Sequence, residues 1–168
     1  NHINNMRIQP GNTPYTESVK FGKKTIVYGT SLIKGIRRNE FNSYLNQCNA
    51  RFRPFPEASI KHMETYLKPT LHDDMPPVTT VHAGCNDLGN KRLSPEHISE
   101  SIIGLGNICR NYNVNNVLIS SIICRNNPYL NTKAGKINAL LAEKCKLLGF
   151  IFIDNSNVSN NHLANDGI

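Results

Sequence analysis

The chain has 168 residues, of which 39% are hydrophobic, and carries a formal net charge of +7 with an isoelectric point near 9.3. This size suits one domain with its own core, and no apolar stretch reaches the roughly 20 residues of a membrane-spanning helix. The five cysteines are odd in number, widely spaced and without a Cys-x-x-Cys pair. We therefore expect no disulfide framework, no metal and no cofactor, and we favour an intracellular, cytoplasmic location.

Strands and helices alternate after a polar N-terminal segment. Residues 1–22 contain several turn formers and are predicted to be an arm or linker, which leaves 23–168 as the domain. The patterns predict strands over 25–28, 51–55, 78–83, 117–124 and 150–153. They predict helices over 32–46, with Ile33, Ile36 and Tyr44 toward one face, and over 60–71, with Ile60, Met63 and Leu67 at helical spacing. A third helix is predicted from Ser94 through Ile108, with Ile98, Ile102, Leu105 and Ile108 on one face. A fourth is predicted over a segment ending at Gly149 that faces Ile137, Leu140, Leu141, Cys145 and Leu148 inward.

Several of these strands are almost entirely apolar. Strands with that pattern are buried on both faces, as in a parallel sheet covered by helices. The sequence therefore predicts a three-layer α/β/α domain with about five strands. Cys109, Cys124 and Cys145 lie in apolar stretches, so we expect them to be buried.

Polar residues follow three of the strands. Gly29-Thr30-Ser31 follows the first, Gly84-Cys85-Asn86-Asp87 the third, and Asn165-Asp166-Gly167 comes after the fifth. Ligands of open α/β sheets bind beyond the C-terminal ends of the strands, so one crevice would receive all three segments. Ser31 could act there as a nucleophile, its N–H and the Asn86 amide as oxyanion donors, and Asp166 as the carboxylate that orients a base.

Each of these residues also has a structural interpretation. Ser31 alone suits a helix N-cap, Asn86-Asp87 suits a loop turn, and Asp166-Gly167 is a common turn pair. Their shared position at one edge of the sheet favours the catalytic interpretation. Among the histidines, we expect His82 to be a buried structural residue and His162 to lie at the surface.

Three segments resemble blocks of the SGNH/GDSL hydrolase superfamily. "TIVYGTSLIKGI" resembles the nucleophile block, "VTTVHAGCNDLGN" the Gly-x-Asn-Asp block, and "NDGI" the start of the Asp-x-x-His block. Within the superfamily, the chain is most similar to esterase-like domains of retrotransposon-encoded proteins, and more distantly to the Oskar C-terminal domain, which binds RNA and lacks hydrolase chemistry. The resemblance implies a five-stranded parallel sheet of order 2-1-3-4-5 and assigns Gly29, Thr30, Gly84 and Asp87 to structural motif positions.

The chain departs from the superfamily pattern at three places. Thr30 replaces the usual aspartate, and Glu57 falls near the position of the oxyanion glycine. A carboxylate there would oppose a developing oxyanion unless Arg53 or Arg125 neutralises it. The motif histidine, which would serve as the general base, falls directly after Ile168.

Two functions of different classes stay open. The first is a serine ester hydrolase that acts on small acyl or acetyl esters through Ser31, Asn86 and Asp166. The second is a non-catalytic RNA- or DNA-binding module on the same scaffold, which the net charge and five nearby cations favour. Those cations are Lys34, Arg37, Arg38, Arg51 and Arg53.

Overall fold

The computed structural model describes residues 24–34, 36–44, 49–123 and 126–158, without the side chains at positions 40, 41 and 44. Five strands in this part form one sheet: β1 (Lys24–Gly29), β2 (Asn49–Pro54), β3 (Val78–His82), β4 (Asn116–Ser120) and β5 (Ile151–Ile153). A 3-10 helix spans Ser31–Ile33, and four α-helices are α1 (Arg38–Tyr44), α2 (Ile60–Asp74), α3 (Pro95–Asn111) and α4 (Pro128–Leu148).

All neighbouring strands are parallel, in the order β2-β1-β3-β4-β5. Val81 of the central strand aligns with Tyr28 on one side and with Ile119 on the other. Every residue of β3 is buried, as expected for a strand covered on both faces of the sheet. The predicted α/β fold class and strand order are therefore confirmed.

Local sequence signals account for the ends of the helices. The Ser94 hydroxyl accepts from the His97 N–H at 3.1 Å and caps α3, with Pro95 as its first residue. Ser59 and His62 form a reciprocal capping box at the start of α2. Gly149 ends α4 in the left-handed conformation, with φ 69°, as predicted for a C-cap glycine.

The core lies where α3 packs against α2, α4 and the sheet. The predicted inward faces of α2 and α3 are confirmed, since Ile60, Met63, Leu67, Ile98, Ile102 and Leu105 are all buried. Cys109 and Cys145 are also buried, and burial raises the pKa of their thiols to about 12 and about 11. Both thiols therefore stay neutral and serve as small apolar groups.

Three sequence predictions were wrong in detail. The helix predicted over 32–46 is a 3-10 helix at Ser31–Ile33 followed by a separate helix from Arg38, and Ile36 is exposed between them. The glycine at position 35 disfavours a continuous α-helix by about 1 kcal/mol. Leu148 is exposed because it is the last residue of α4, and β4 ends at Ser120, before the end of its apolar run.

Several predictions fall outside the described residues. These are the N-terminal arm 1–22, the side chain of Tyr44, and Cys124, Arg125, His162 and Asp166. In the part of the chain that is described, no helix is long and apolar enough to cross a membrane.

Gly84 offers a test of how tightly the end of β3 packs. Its φ is +94°, and an added Cβ would lie 2.9 Å from Cδ1 of Ile102 and 3.0 Å from Cδ1 of Ile122. We expect Gly84→Ala to lower the free energy of unfolding by about 2–4 kcal/mol through backbone strain and overpacking. Urea denaturation measures this.

Gly135 in α4 is the matched control, because an added Cβ there meets nothing within 4 Å. Gly135→Ala should leave stability unchanged or raise it by up to about 1 kcal/mol. Equal unfolding midpoints for the two variants would contradict the packing described at Gly84.

Candidate active site

Ser31 begins the 3-10 helix that follows β1 and is partly buried. The preceding Thr30 is fully buried, and its hydroxyl makes no hydrogen bond in the described part of the chain. Thr30 therefore occupies the N-cap position of the 3-10 helix without a capping hydrogen bond from its side chain. Gly29 allows the Ile33 side chain and the His82 carbonyl group to pack closely against the backbone. An added Cβ would lie 3.1 Å from Cγ2 of Ile33 and 3.2 Å from the His82 carbonyl oxygen.

A backbone hydrogen bond ties the loop after β2 to the end of β1. The Phe55 N–H donates to the Gly29 carbonyl oxygen at 2.7 Å, and the Ala58 N–H donates to the Phe55 carbonyl oxygen at 3.2 Å. The two bonds fold residues 55–58 into a turn at the same edge of the sheet as Ser31.

Asn86 joins that turn to the loop after β3. Its side-chain Nδ2 donates to the Ala58 carbonyl oxygen at 3.0 Å, while the residue itself is exposed. A primary amide has two N–H groups, and this bond uses one of them. The second N–H is available to a ligand, and the loops after β1, β2 and β3 are connected through hydrogen bonds.

Glu57 lies in that turn with φ 59°, in the left-handed region, and is exposed. Glycine is the residue that adopts this conformation without steric cost. The backbone conformation thus matches the requirement for glycine that the resemblance implies at this position, although the side chain is a carboxylate.

Asp87 is buried and holds the start of α2. Its Oδ2 accepts from the Ile60 N–H at 3.1 Å, where the positive end of the helix dipole favours a carboxylate. Burial raises the pKa of Asp87, and the hydrogen bond from Ile60 opposes that rise. Asp87 is therefore placed for a structural role, next to the exposed Asn86.

His82 is buried, as predicted, and belongs to a polar network that sequence reasoning missed. Its Nδ1 lies 3.0 Å from Ser120 Oγ, and its Nε2 lies 3.5 Å from Cys85 Sγ. Asn155 Nδ2 donates to Ser120 Oγ at 2.8 Å. Both ring nitrogens of His82 thus have protein neighbours, which fits a structural histidine better than a general base.

The predicted basic residues are all exposed. Four of them line a cavity of about 450 Å³ beside the 3-10 helix, together with the apolar side chains of Ile33 and Phe52. The four are Lys34, Arg38, Arg51 and Arg53. Arg37 is not among the lining residues.

Arg53 is engaged away from Glu57. Its Nε lies 3.2 Å from Asp74 Oδ2 and its Nη2 3.3 Å from Asp74 Oδ1. Lys24 also approaches Asp74, at 3.6 Å. These cations hold the pKa of Asp74 below its usual value against the opposing effect of its burial. Of the two arginines considered for neutralising Glu57, Arg53 is thus paired with Asp74, and Arg125 lies outside the described residues.

The described residues contain no group of three or more histidine, cysteine, aspartate or glutamate side chains arranged to hold a metal ion. The groups of this site that can take part in ester chemistry are the Ser31 hydroxyl, the Asn86 amide and the backbone N–H groups around them.

Solved structures share this fold. A GDSL-like lipase from Bacteroides thetaiotaomicron matches with a TM-score of 0.70 and 15% identity, over 91% of this chain and 82% of the lipase. A lipase/acylhydrolase from Enterococcus faecalis matches with a TM-score of 0.69 and 14% identity, over 86% of this chain and 85% of that one. TesA matches with a TM-score of 0.68 and 14% identity, over 86% of this chain and 87% of its own.

At these identities the likeness establishes the fold, an α/β domain of the kind found in GDSL-like lipases and acylhydrolases. No family model and no curated protein matches the chain.

The backbone at Glu57 can be tested by a pair of variants. Glu57→Gly removes the side chain and the left-handed strain, whereas Glu57→Ala removes the carboxylate and keeps a Cβ at φ 59°. We expect the glycine variant to be more stable than the alanine variant by about 1 kcal/mol in urea denaturation. A glycine variant that is no more stable than the alanine variant would mean that this turn is not strained.

Proposed function

We propose that this chain is a serine ester hydrolase of the SGNH type that acts on small acyl or acetyl esters. The observation that carries the proposal is the hydrogen bonding that gathers the loops after β1, β2 and β3 around Ser31 and Asn86. The shared fold with GDSL-like lipases and acylhydrolases supports it. A fold alone does not fix function, so the argument depends on this arrangement.

In the proposed mechanism, Ser31 Oγ attacks the ester carbonyl carbon and passes its proton to a base. The carbonyl oxygen becomes an oxyanion, stabilised by the Ser31 N–H and the second N–H of Asn86. The intermediate expels the alcohol, which takes up the proton and leaves an acyl-serine. Water then attacks the acyl-serine, releasing the acid and restoring Ser31.

We assign the base to a histidine at the motif position directly after Ile168, oriented by Asp166. The surroundings of His82 support this choice, because His82 is buried and both ring nitrogens have protein neighbours. Tests of activity therefore use a version of the chain that carries a histidine at that position.

Glu57 is the feature that weighs most against efficient catalysis. In this proposal its backbone N–H is a third oxyanion donor, but its carboxylate carries a charge of the same sign as the oxyanion. The side chain is exposed, and water screens an exposed charge strongly. We therefore propose that Glu57 reduces the turnover number without abolishing it.

The first prediction of activity concerns the nucleophile. A version of the chain extended past Ile168 by the expected histidine should hydrolyse 4-nitrophenyl acetate, and Ser31→Ala should remove most of that rate, because the proposed mechanism forms the acyl-enzyme on the Ser31 hydroxyl. Release of 4-nitrophenolate measures the rate. Equal rates for the two proteins at equal purity would remove Ser31 as the nucleophile.

The second prediction concerns the oxyanion. Asn86→Ala should lower kcat by about 10²–10³-fold if the amide donates to the oxyanion. Asn107→Ala is the matched control, since Asn107 is exposed on α3, and it should leave kcat unchanged. A loss of less than about three-fold in a folded Asn86→Ala protein would assign Asn86 to the loop alone.

The alternative function is a non-catalytic RNA- or DNA-binding module, with the retrotransposon-type context that the resemblance implies. The exposure of Lys34, Arg37, Arg38, Arg51 and Arg53 favours it. For either function we propose a cytoplasmic location, supported by the buried thiols of Cys109 and Cys145, which form no disulfide in the described part of the chain.

A further inference from the structure

The cavity beside the 3-10 helix is lined by both cationic and apolar side chains. Its cations come from two segments, Lys34 and Arg38 on one side and Arg51 and Arg53 on the edge strand β2, while Ile33 and Phe52 supply apolar walls. None of its described lining residues is acidic. A volume of about 450 Å³ lies within the usual range of small-molecule sites.

The positive charge of this cavity is only partly compensated. Arg53 is paired with Asp74, and Arg38 Nη2 donates to the neutral Asn49 Oδ1 at 2.6 Å. The side chains of Lys34 and Arg51 have no ion-pair or hydrogen-bond partner among the described residues. Gathering like charges at one place is unfavourable, and an anion that binds between them relieves the repulsion.

The cavity is also adjacent to the candidate nucleophile. The Lys34 N–H donates to the Ser31 carbonyl oxygen at 3.0 Å, so both residues belong to the same helical turn. Three residues of a 3-10 helix span roughly 6 Å. The cavity therefore begins within one helical turn of Ser31, a separation that a short ester can span.

We propose that this cavity is a subsite for an anionic group, a carboxylate or a phosphate, carried by the ester substrate; the proposal rests on the serine hydrolase function proposed above. The apolar walls favour a small organic anion over a polynucleotide, because a nucleic-acid backbone needs cations spread along a track. The substrate class is thus a short ester with one negative charge near the scissile bond.

The test compares matched esters and matched variants. 4-Nitrophenyl hydrogen glutarate and 4-nitrophenyl pentanoate differ by a carboxylate on the acyl side, and 4-acetoxybenzoate and phenyl acetate differ by one on the alcohol side. The wild-type protein should prefer the anionic member of at least one pair by roughly ten-fold in kcat/KM, since charge-assisted bonds are strong. The double variant Lys34→Gln/Arg51→Gln should lose that preference and keep its rate on the neutral ester.

Lys136→Gln is the control, because Lys136 is exposed on α4, away from the lining residues. It should retain the preference. A wild-type preference that survives in the double variant, or no preference in either pair, overturns the proposal. The pair that shows the preference assigns the anion to the acyl or to the alcohol side.

A binding measurement separates this proposal from the hydrolase function. Inorganic phosphate should raise the melting temperature of the wild-type protein and of Lys136→Gln, but not that of the double variant. If no ester is hydrolysed while this difference persists, the anion site stands and the hydrolase function fails. Binding of single-stranded oligonucleotides that strengthens with length, without a phosphate effect, overturns the proposal in favour of the nucleic-acid module.

Discussion

The arrangement of this site depends on one constraint, the parallel direction of every strand in the sheet. Parallel neighbours need a crossover between them, so each strand ends at the same edge. The loops after β1, β2 and β3 therefore meet there, and two hydrogen bonds hold them in contact: Phe55 N–H to Gly29 O, and Asn86 Nδ2 to Ala58 O. Because of these contacts, Ser31 and Asn86 lie at the same edge of the sheet, although they are far apart in sequence.

The electrostatics of the site divide into a buried part and an exposed part. Asp87 is withdrawn from solvent, and this burial raises its pKa, while its hydrogen bond from the first N–H of α2 opposes the rise and holds the start of the helix. The cations around Lys34 and Arg51 are exposed and largely without carboxylate partners in the described structure. The buried carboxylate of Asp87 is thus hydrogen-bonded within the fold, whereas the exposed cations near Ser31 are available to an anionic ligand.

Much of the fold could be predicted from the sequence because its signals are local. Apolar strand runs, the Ser94 cap and Gly149 each act over a few residues, and the structure confirms them. Contacts between side chains far apart in the chain could not be predicted from these local signals. The pairing of Arg53 with Asp74 and the bonds among His82, Ser120 and Asn155 depend on residues distant in sequence. The split of the 32–46 helix differs from these, because the glycine at position 35 is a local signal for it. The turn itself has a sequence signal in Pro56, but its left-handed conformation at Glu57 does not, because glutamate seldom adopts a positive φ.

The most direct measurement of the central claim is the site of covalent labelling by a fluorophosphonate, mapped by peptide mass spectrometry. The reagent reacts with a serine only when its hydroxyl is activated and the neighbouring donors can hold a tetrahedral oxyanion. In a version of the chain extended past Ile168 by the expected histidine, we predict a single adduct on the peptide that contains Ser31. An adduct on a different residue, or ester hydrolysis with Ser31 unlabelled, would contradict the account.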